Sequence, residues 1–277
     1  MALQDKYINP FTDFGFKKLF GSEPNKDLLI DFLNQVLPGK HRIQDLTYAR
    51  SEQLGNTEPD RKAIFDLYYI GQNGERFIVE MQKAKQNYFK DRSVYYASFP
   101  IQEQAKKGDW NYQLAAVYMV GILDFTFSDD APEQEVRHEV QLKDHNCRVF
   151  YDKLTFIYLE MPNFSKAEED LQDNFDKWMY VLQQLPYLQN RPRALQERIF
   201  QKLFEAAEIA KFTPDEKTKY EESLKYYRDL KNVIDTSFDE GKIEGKIEIA
   251  RQMKLAGEPI EKIARFTGIS MNEIEKL

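Results

Sequence analysis

The stretch RFIVEMQKAK, residues 76–85, has the composition of a buried strand, yet it carries a carboxylate, Glu80, and an amide, Gln82. Side chains alternate along a strand, so Ile78, Glu80 and Gln82 share one face. The preceding run, AIFDLYY, offers Asp66 on the face of Ile64 and Tyr68. Between the runs lies IGQNGER, a turn signal rich in glycine and asparagine. Loop length decides whether the two acids meet. A two-residue loop, Asn73-Gly74, sets Asp66 opposite Met81, whereas a three-residue loop, Gln72-Asn73-Gly74, sets it opposite Glu80. A three-residue loop with a bulge asks for a left-handed residue such as Gly74, so the second register is expected.

Two carboxylates facing each other on buried strands repel, and desolvation raises their pKa values unless a positive charge lies between them. A divalent cation meets that need. Mg²⁺ and Mn²⁺ take carboxylate, carbonyl and water oxygens, and a carboxylate pair with open positions suits phosphate chemistry. Gln82, one pleat on, is placed to orient a water or a phosphate oxygen. The plainer reading pairs Asp66 and Glu80 with Arg61, Arg76 or Lys83, and makes Gln82 an ordinary hydrogen-bonding amide.

The elements that must hold these groups can be read from periodicity. From Asn9 to about Leu37, Phe16, Leu19 and Phe20, then Leu28, Leu29, Phe32, Leu33 and Val36, recur at helical spacing, with Thr12 as N-cap and Pro38-Gly39 as a stop. Strand signals follow from about Ile43 to Leu159, interrupted by a helix at about Tyr88 to Lys107. Beyond Ser165 the period is helical, with Leu171, Phe175, Trp178, Leu182 and Leu185 as one apolar face. The fold class expected is α/β, an α+β mixed sheet with a helical C-terminal region. The expected divisions are a core at 1–164, a packed helical region at 165–235 and a helical tail at 236–277.

Composition excludes several classes. The chain has 277 residues and a formal charge of −7, which rules out coating nucleic acid by bulk attraction but permits a local basic face. The single cysteine, Cys147, leaves no intramolecular disulfide. The start, MALQDKYINP, lacks a signal-peptide pattern, and the longest apolar run, Ala115 to Leu123, is far below the roughly 20 residues that span a bilayer. No membrane association and a cytoplasmic location are expected. His138 and His145, with Asp144, lack ligand-like spacing and read as solvent-facing strand-end groups.

An acid at Asp66 followed by Glu80-x-Gln82, on two strands after an N-terminal helix, resembles the PD-(D/E)XK nuclease superfamily. Within it the chain is similar to the Rpn family of recombination-promoting nucleases and transposases. The stretches that carry the likeness are NPFTDFGFKKLFG, FDLYYIGQNGERFIVEMQKAKQ, FKDRSVYYASFPIQEQAKKGDWNYQLAAVYMVGILDF and the Gly-Lys-rich tail. The resemblance implies a restriction-endonuclease-like core, cleavage of DNA phosphodiesters with Mg²⁺ or Mn²⁺, and metal ligation by Asp66 and Glu80. Gln82 stands where the superfamily signature has lysine. A neutral amide brings no positive charge to a developing phosphorane, so Lys83, Lys85 or Arg92 would have to supply it or activity is low. Arg92 and Tyr96, on the following helix, are candidates for backbone phosphate contacts. Asp13 and Lys17, four apart in TDFGFKKLF, match a family stretch and are candidates to complete the site. The alternative is an inactive nuclease fold retained for binding nucleic acid or protein.

The end of the chain, EPIEKIARFTGISMNEIEKL, reads as two helices broken at Thr267-Gly268, like a helix-turn-helix. Only seven residues follow Ser270, and from Ser237 onward seven basic residues face eight acidic ones. Helical self-association, giving a homo-oligomer, or docking to a partner fits this tail better than groove reading.

Overall fold

The structure is a computed structural model that describes residues 5–37, 39, 42–49, 52–53, 63–105, 111–127 and 135–277. The chain divides into two compact units, Met1–Lys225 and Tyr226–Leu277. In the first, α1 (Asp13–Phe20) and α2 (Lys26–Val36) precede the short strands β1 (Leu46–Tyr48), β2 (Glu52–Gln53) and β3 (Ala63–Ile64). The hairpin β4 (Leu67–Gly71) and β5 (Arg76–Gln82) follows, then α3 (Phe89–Glu103), β6 (Val117–Leu123), β7 (Arg137–Lys143) and β8 (Val149–Glu160). Helices α4 (Asn174–Gln184), α5 (Arg198–Ala207) and the long α6 (Pro214–Leu255) come next, and α7 (Ile260–Thr267) and α8 (Met271–Lys276) close the chain.

The main sheet has six strands in the order β1-β4-β5-β6-β8-β7. Strands β5, β6 and β8 run parallel at its centre, while β4, β1 and β7 pair antiparallel. This is the mixed sheet expected. Strand β5 is buried on both faces, as a strand inside a covered sheet must be. One face carries Tyr68, Ile78, Met119 and Tyr158 and packs with Phe89 and Ala97 of α3. On the other, the Tyr69 hydroxyl donates to the Phe20 carbonyl at the end of α1. Trp178 of α4 fills the helical side, with ring centroids 5.3–5.8 Å from Phe20, Phe32 and Phe200, and its indole N–H donates to Asp31 at 2.7 Å.

The start of α1 is fixed by a close turn. Thr12 caps it, its Oγ1 accepting the Gly15 N–H at 2.9 Å and donating to the Asn9 carbonyl at 2.8 Å. A Cβ on Gly15 would lie 2.2 Å from the Asn9 oxygen, so no larger residue fits there. Helix α2 ends at Val36, and Pro38 of the expected stop lies outside the described residues.

In the second unit Ala250, Ile263 and Ile274 form a small core. Gly268 breaks the chain at φ 72°, and Ser270 caps α8 in a reciprocal box with Glu273. The break at Thr267-Gly268 is where the sequence places it. Helix α8 has six residues, about 9 Å, too short to read a major groove. No helix among the described residues is long and apolar enough to cross a membrane.

Candidate active site at the end of the central hairpin

The β4–β5 register sets Leu67 opposite Val79 and Tyr68 opposite Ile78, the register of a three-residue loop. Gly71 receives the turn, its N–H donating to the Glu75 carbonyl at 2.9 Å, and Gly74 takes the left-handed conformation at φ 84°. One pair further along, this register brings Asp66 against Glu80. The run AIFDLYY is not one strand, however. It breaks at Phe65-Asp66, and across the break side chains replace the ladder. The Asp66 N–H donates to Glu80 Oε1 at 3.0 Å, and the Met81 N–H donates to Asp66 Oδ2 at 2.8 Å. Each acid thus holds a backbone N–H of the opposite segment, while Gln82 Nε2 donates to Glu80 Oε2 at 3.3 Å.

Glu80 is 3% exposed and Gln82 9%, so this clasp is closed toward the core. Among the described residues, neither carboxylate is in ion-pair contact with a lysine or arginine. Arg76, one of the structural partners that the sequence allowed, instead approaches Glu103 at 4.0 Å, and Arg61 lies outside the described residues. Burial first, and then the Asp66 charge, push the Glu80 carboxyl up to about 8, against the pull of the Asp66 N–H, Arg92 and Gln82. Burial, and then Asp13, raise Asp66 above the usual carboxylate range, opposed by the Met81 N–H, Lys17 and Lys83. Two acids are therefore held side by side in a place that disfavours their charges.

Three groups surround them. From α1, Asp13 and Lys17 form an i, i+4 ion pair at 2.9 Å whose charges both act on Asp66. Lys83, half-buried just past β5, also acts on Asp66, and burial pulls its ammonium below the ordinary lysine range. From α3, Arg92 acts on Glu80, stacks over the Phe89 and Tyr96 rings at 5.4 and 5.5 Å, and donates to Gln86 at 2.6 Å. The Tyr96 hydroxyl is raised by burial and by the Glu80 charge. Lys85 is exposed in the β5–α3 connection and is not among the groups acting on either acid. His138, expected to face solvent, is half-buried on the edge strand β7, with Nε2 3.3 Å from Glu160 Oε1.

The donor set suits a hard divalent cation. Each carboxylate offers about four lone-pair sites, and the hydrogen bonds above leave acceptor capacity on both. Met81 presents its N–H to Asp66, and a strand residue turns its carbonyl to the same side, which adds a third oxygen. Among the described residues no cluster of three or more His, Cys, Asp or Glu side chains could hold a metal. A cation here would have two carboxylates, a carbonyl and waters, the kind of shell that Mg²⁺ accepts.

One contributor was not singled out from the sequence. Gly121 of β6 lies beside Glu80 in the parallel register and beside Tyr158 of β8. A Cβ there would sit 3.0 Å from the Tyr158 ring. The signal was present, since a lone glycine inside an apolar strand marks a close approach. Gly121→Val is expected to lower the thermal midpoint, with an overpacking cost of about 1–3 kcal/mol, checked by a calorimetric melt.

A family model described as PD-(D/E)XK nuclease family transposase matches residues 10–237. No curated protein and no solved structure gives a significant match.

Proposed function

This chain belongs to the PD-(D/E)XK nuclease family of transposases, and from that premise we propose that it is a metal-dependent DNA endonuclease of the recombination-promoting type. The observation that carries the reading is the clasp of Asp66 and Glu80, a half-buried and a buried acid with raised pKa values and, among the described residues, no lysine or arginine in ion-pair contact. Asp66, Glu80 and the Met81 carbonyl would hold Mg²⁺ or Mn²⁺. When bound, such an ion supplies Lewis-acid polarisation of a phosphoryl oxygen and acidifies a water.

The chain's own residues divide the remaining tasks. Gln82, tied to Glu80, orients the attacking water through its amide. Arg92 and Lys83 bring positive charge to opposite flanks of the acid pair, in place of the signature lysine. Arg92, Tyr96 and Lys85 engage the DNA backbone, which positions the duplex without reading sequence. Asp13 and Lys17 bias Asp66 from α1.

Titration calorimetry with Mn²⁺, together with nicking of supercoiled plasmid, tests this. Saturable binding by the wild type, loss of that heat in Asp66→Asn and metal-dependent nicking are expected. A ligand that binds only the folded state stabilises it by about 2.7 kcal/mol at 100 times its Kd, so Mn²⁺ should also raise the melting midpoint of the wild type and not of Asp66→Asn. Gln82→Ala should retain Mn²⁺ binding and lose roughly 10- to 100-fold in cleavage rate, the usual cost of removing a group that orients a metal site.

Gln82 itself favours a second reading, a nuclease fold kept for binding without catalysis. Mn²⁺ and DNA binding with no cleavage under any metal would select it.

A further inference from the structure

We propose that α6 is the interface of a homodimer, in which one face of the helix packs antiparallel against the same face of a second copy. The face is Leu230, Ile234, Phe238, Gly241, Gly245 and Ile249, spaced four, four, three, four and four residues apart. At 100° per residue these positions stay within an arc of about 100°.

Three observations support it. First, every residue from Lys231 to Lys246 is exposed, and on the arc Phe238 is 64% exposed and Ile249 56%. Large apolar side chains on a helical stretch with no packed face leave its main source of stability unused. Second, Gly241 and Gly245 sit inside this helix, where glycine is among the least favourable residues. Among the described residues, nothing outside the helix's own neighbouring turns lies within 4 Å of where a Cβ would stand at either position, so no described contact requires them. Close approach of another helix would. Third, the face is self-complementary when reversed. With Phe238 opposite Gly241 of the second copy, Ile234 falls opposite Gly245, so bulk meets space, and Leu230 falls level with Ile249, apolar beside apolar. Asp235 then lies within reach of Lys242 and Lys246 of the second copy. A two-fold axis repeats each contact, as an isologous interface demands. A parallel arrangement would set Phe238 on Phe238 and glycine on glycine. Val233 and Ile243, also exposed, fall off the arc.

Sedimentation equilibrium of the full chain between about 1 and 50 μM tests the proposal; a dimer is expected, since a packed helix pair of this kind needs no further partner. Phe238→Glu, at an exposed position, should weaken it at least 10-fold while leaving the circular dichroism spectrum unchanged. The double change Gly241→Ala, Gly245→Ala is the sharper probe. Alanine strengthens a lone helix, whereas a methyl in the seam blocks approach, so dimerisation should weaken about 10-fold or more even as helix content holds or rises. Asp235→Lys and the pair Lys242→Asp, Lys246→Asp should each weaken self-association, and an equimolar mixture of the two should restore a heterodimer. A monomer throughout this range, a dimer indifferent to Phe238→Glu, or tighter association of the double alanine variant would overturn the assignment.

Discussion

Plasmid nicking in Mg²⁺ or Mn²⁺ should fall by about 10³-fold or more in both Asp66→Asn and Glu80→Gln, because a metal site contributes several kcal/mol of transition-state charge stabilisation and each 1.36 kcal/mol is tenfold in rate. The amides are chosen because they keep the clasp. Asparagine at 66 still offers an oxygen to the Met81 N–H, and glutamine at 80 still offers one to the Asp66 N–H. What both lose is the charge. A purely structural role for the pair therefore predicts near-normal nicking in the amide variants, while the metal role predicts its loss with folding intact. Arg92→Ala separates ligation from positioning. Its guanidinium acts on Glu80 from α3 without contacting it, so Mn²⁺ binding should persist while DNA affinity falls and its salt dependence weakens. Nicking that survives either amide substitution would place the chemistry elsewhere.

The hairpin was legible because its chemistry is local. Gly74 is the residue that a three-residue loop requires, and once the loop length is set, every opposed pair up to Asp66 and Glu80 follows. The interruption at Phe65-Asp66 was not legible. AIFDLYY alternates as an unbroken strand would, and only the carboxylate of a residue fourteen positions on shows that the ladder is replaced there. The flanking charges were partly legible. Asp13 and Lys17 read as a helical pair, but their action on Asp66 depends on how α1 docks, which the turn around Asn9 and Gly15 decides. Lys85 read as equivalent to Lys83, and burial separates them: one is half-buried beside Asp66, the other is in solvent. In the tail, EGKIEGKIEIA reads as a solvated helix or linker, and it lies within the unbroken helix Pro214–Leu255. Glycines weaken a helix without necessarily ending it, so period alone could not place its boundary.

Without metal, stability should fall as pH rises from about 5 to 9 in the wild type, and much less in Glu80→Gln. The Glu80 carboxyl has an ordinary value of 4.5 and is pushed up to about 8 in the folded chain. Between those values the folded state keeps a proton that the unfolded state has released. Unfolding therefore releases a proton, and stability drops with each unit of pH through this window, levelling only above the folded value. Asp66, raised for the same reason, adds to the slope with the same sign. At 1.36 kcal/mol per unit, and allowing for relaxation around a buried pair, the loss should be about 2–4 kcal/mol. Glu80→Gln carries no such proton, so urea midpoints of the two proteins should converge near pH 5 and separate in favour of the variant by pH 9. Saturating Mn²⁺ should reverse the trend in the wild type alone, because a cation competes with the proton for the same oxygens and binds more tightly once they are deprotonated. The site would then be a place where the fold gives up stability at neutral pH that the ion restores. Parallel, flat urea profiles for both proteins would mean that Glu80 is already ionised and compensated in the folded chain, and the need for a cation between the two acids would vanish.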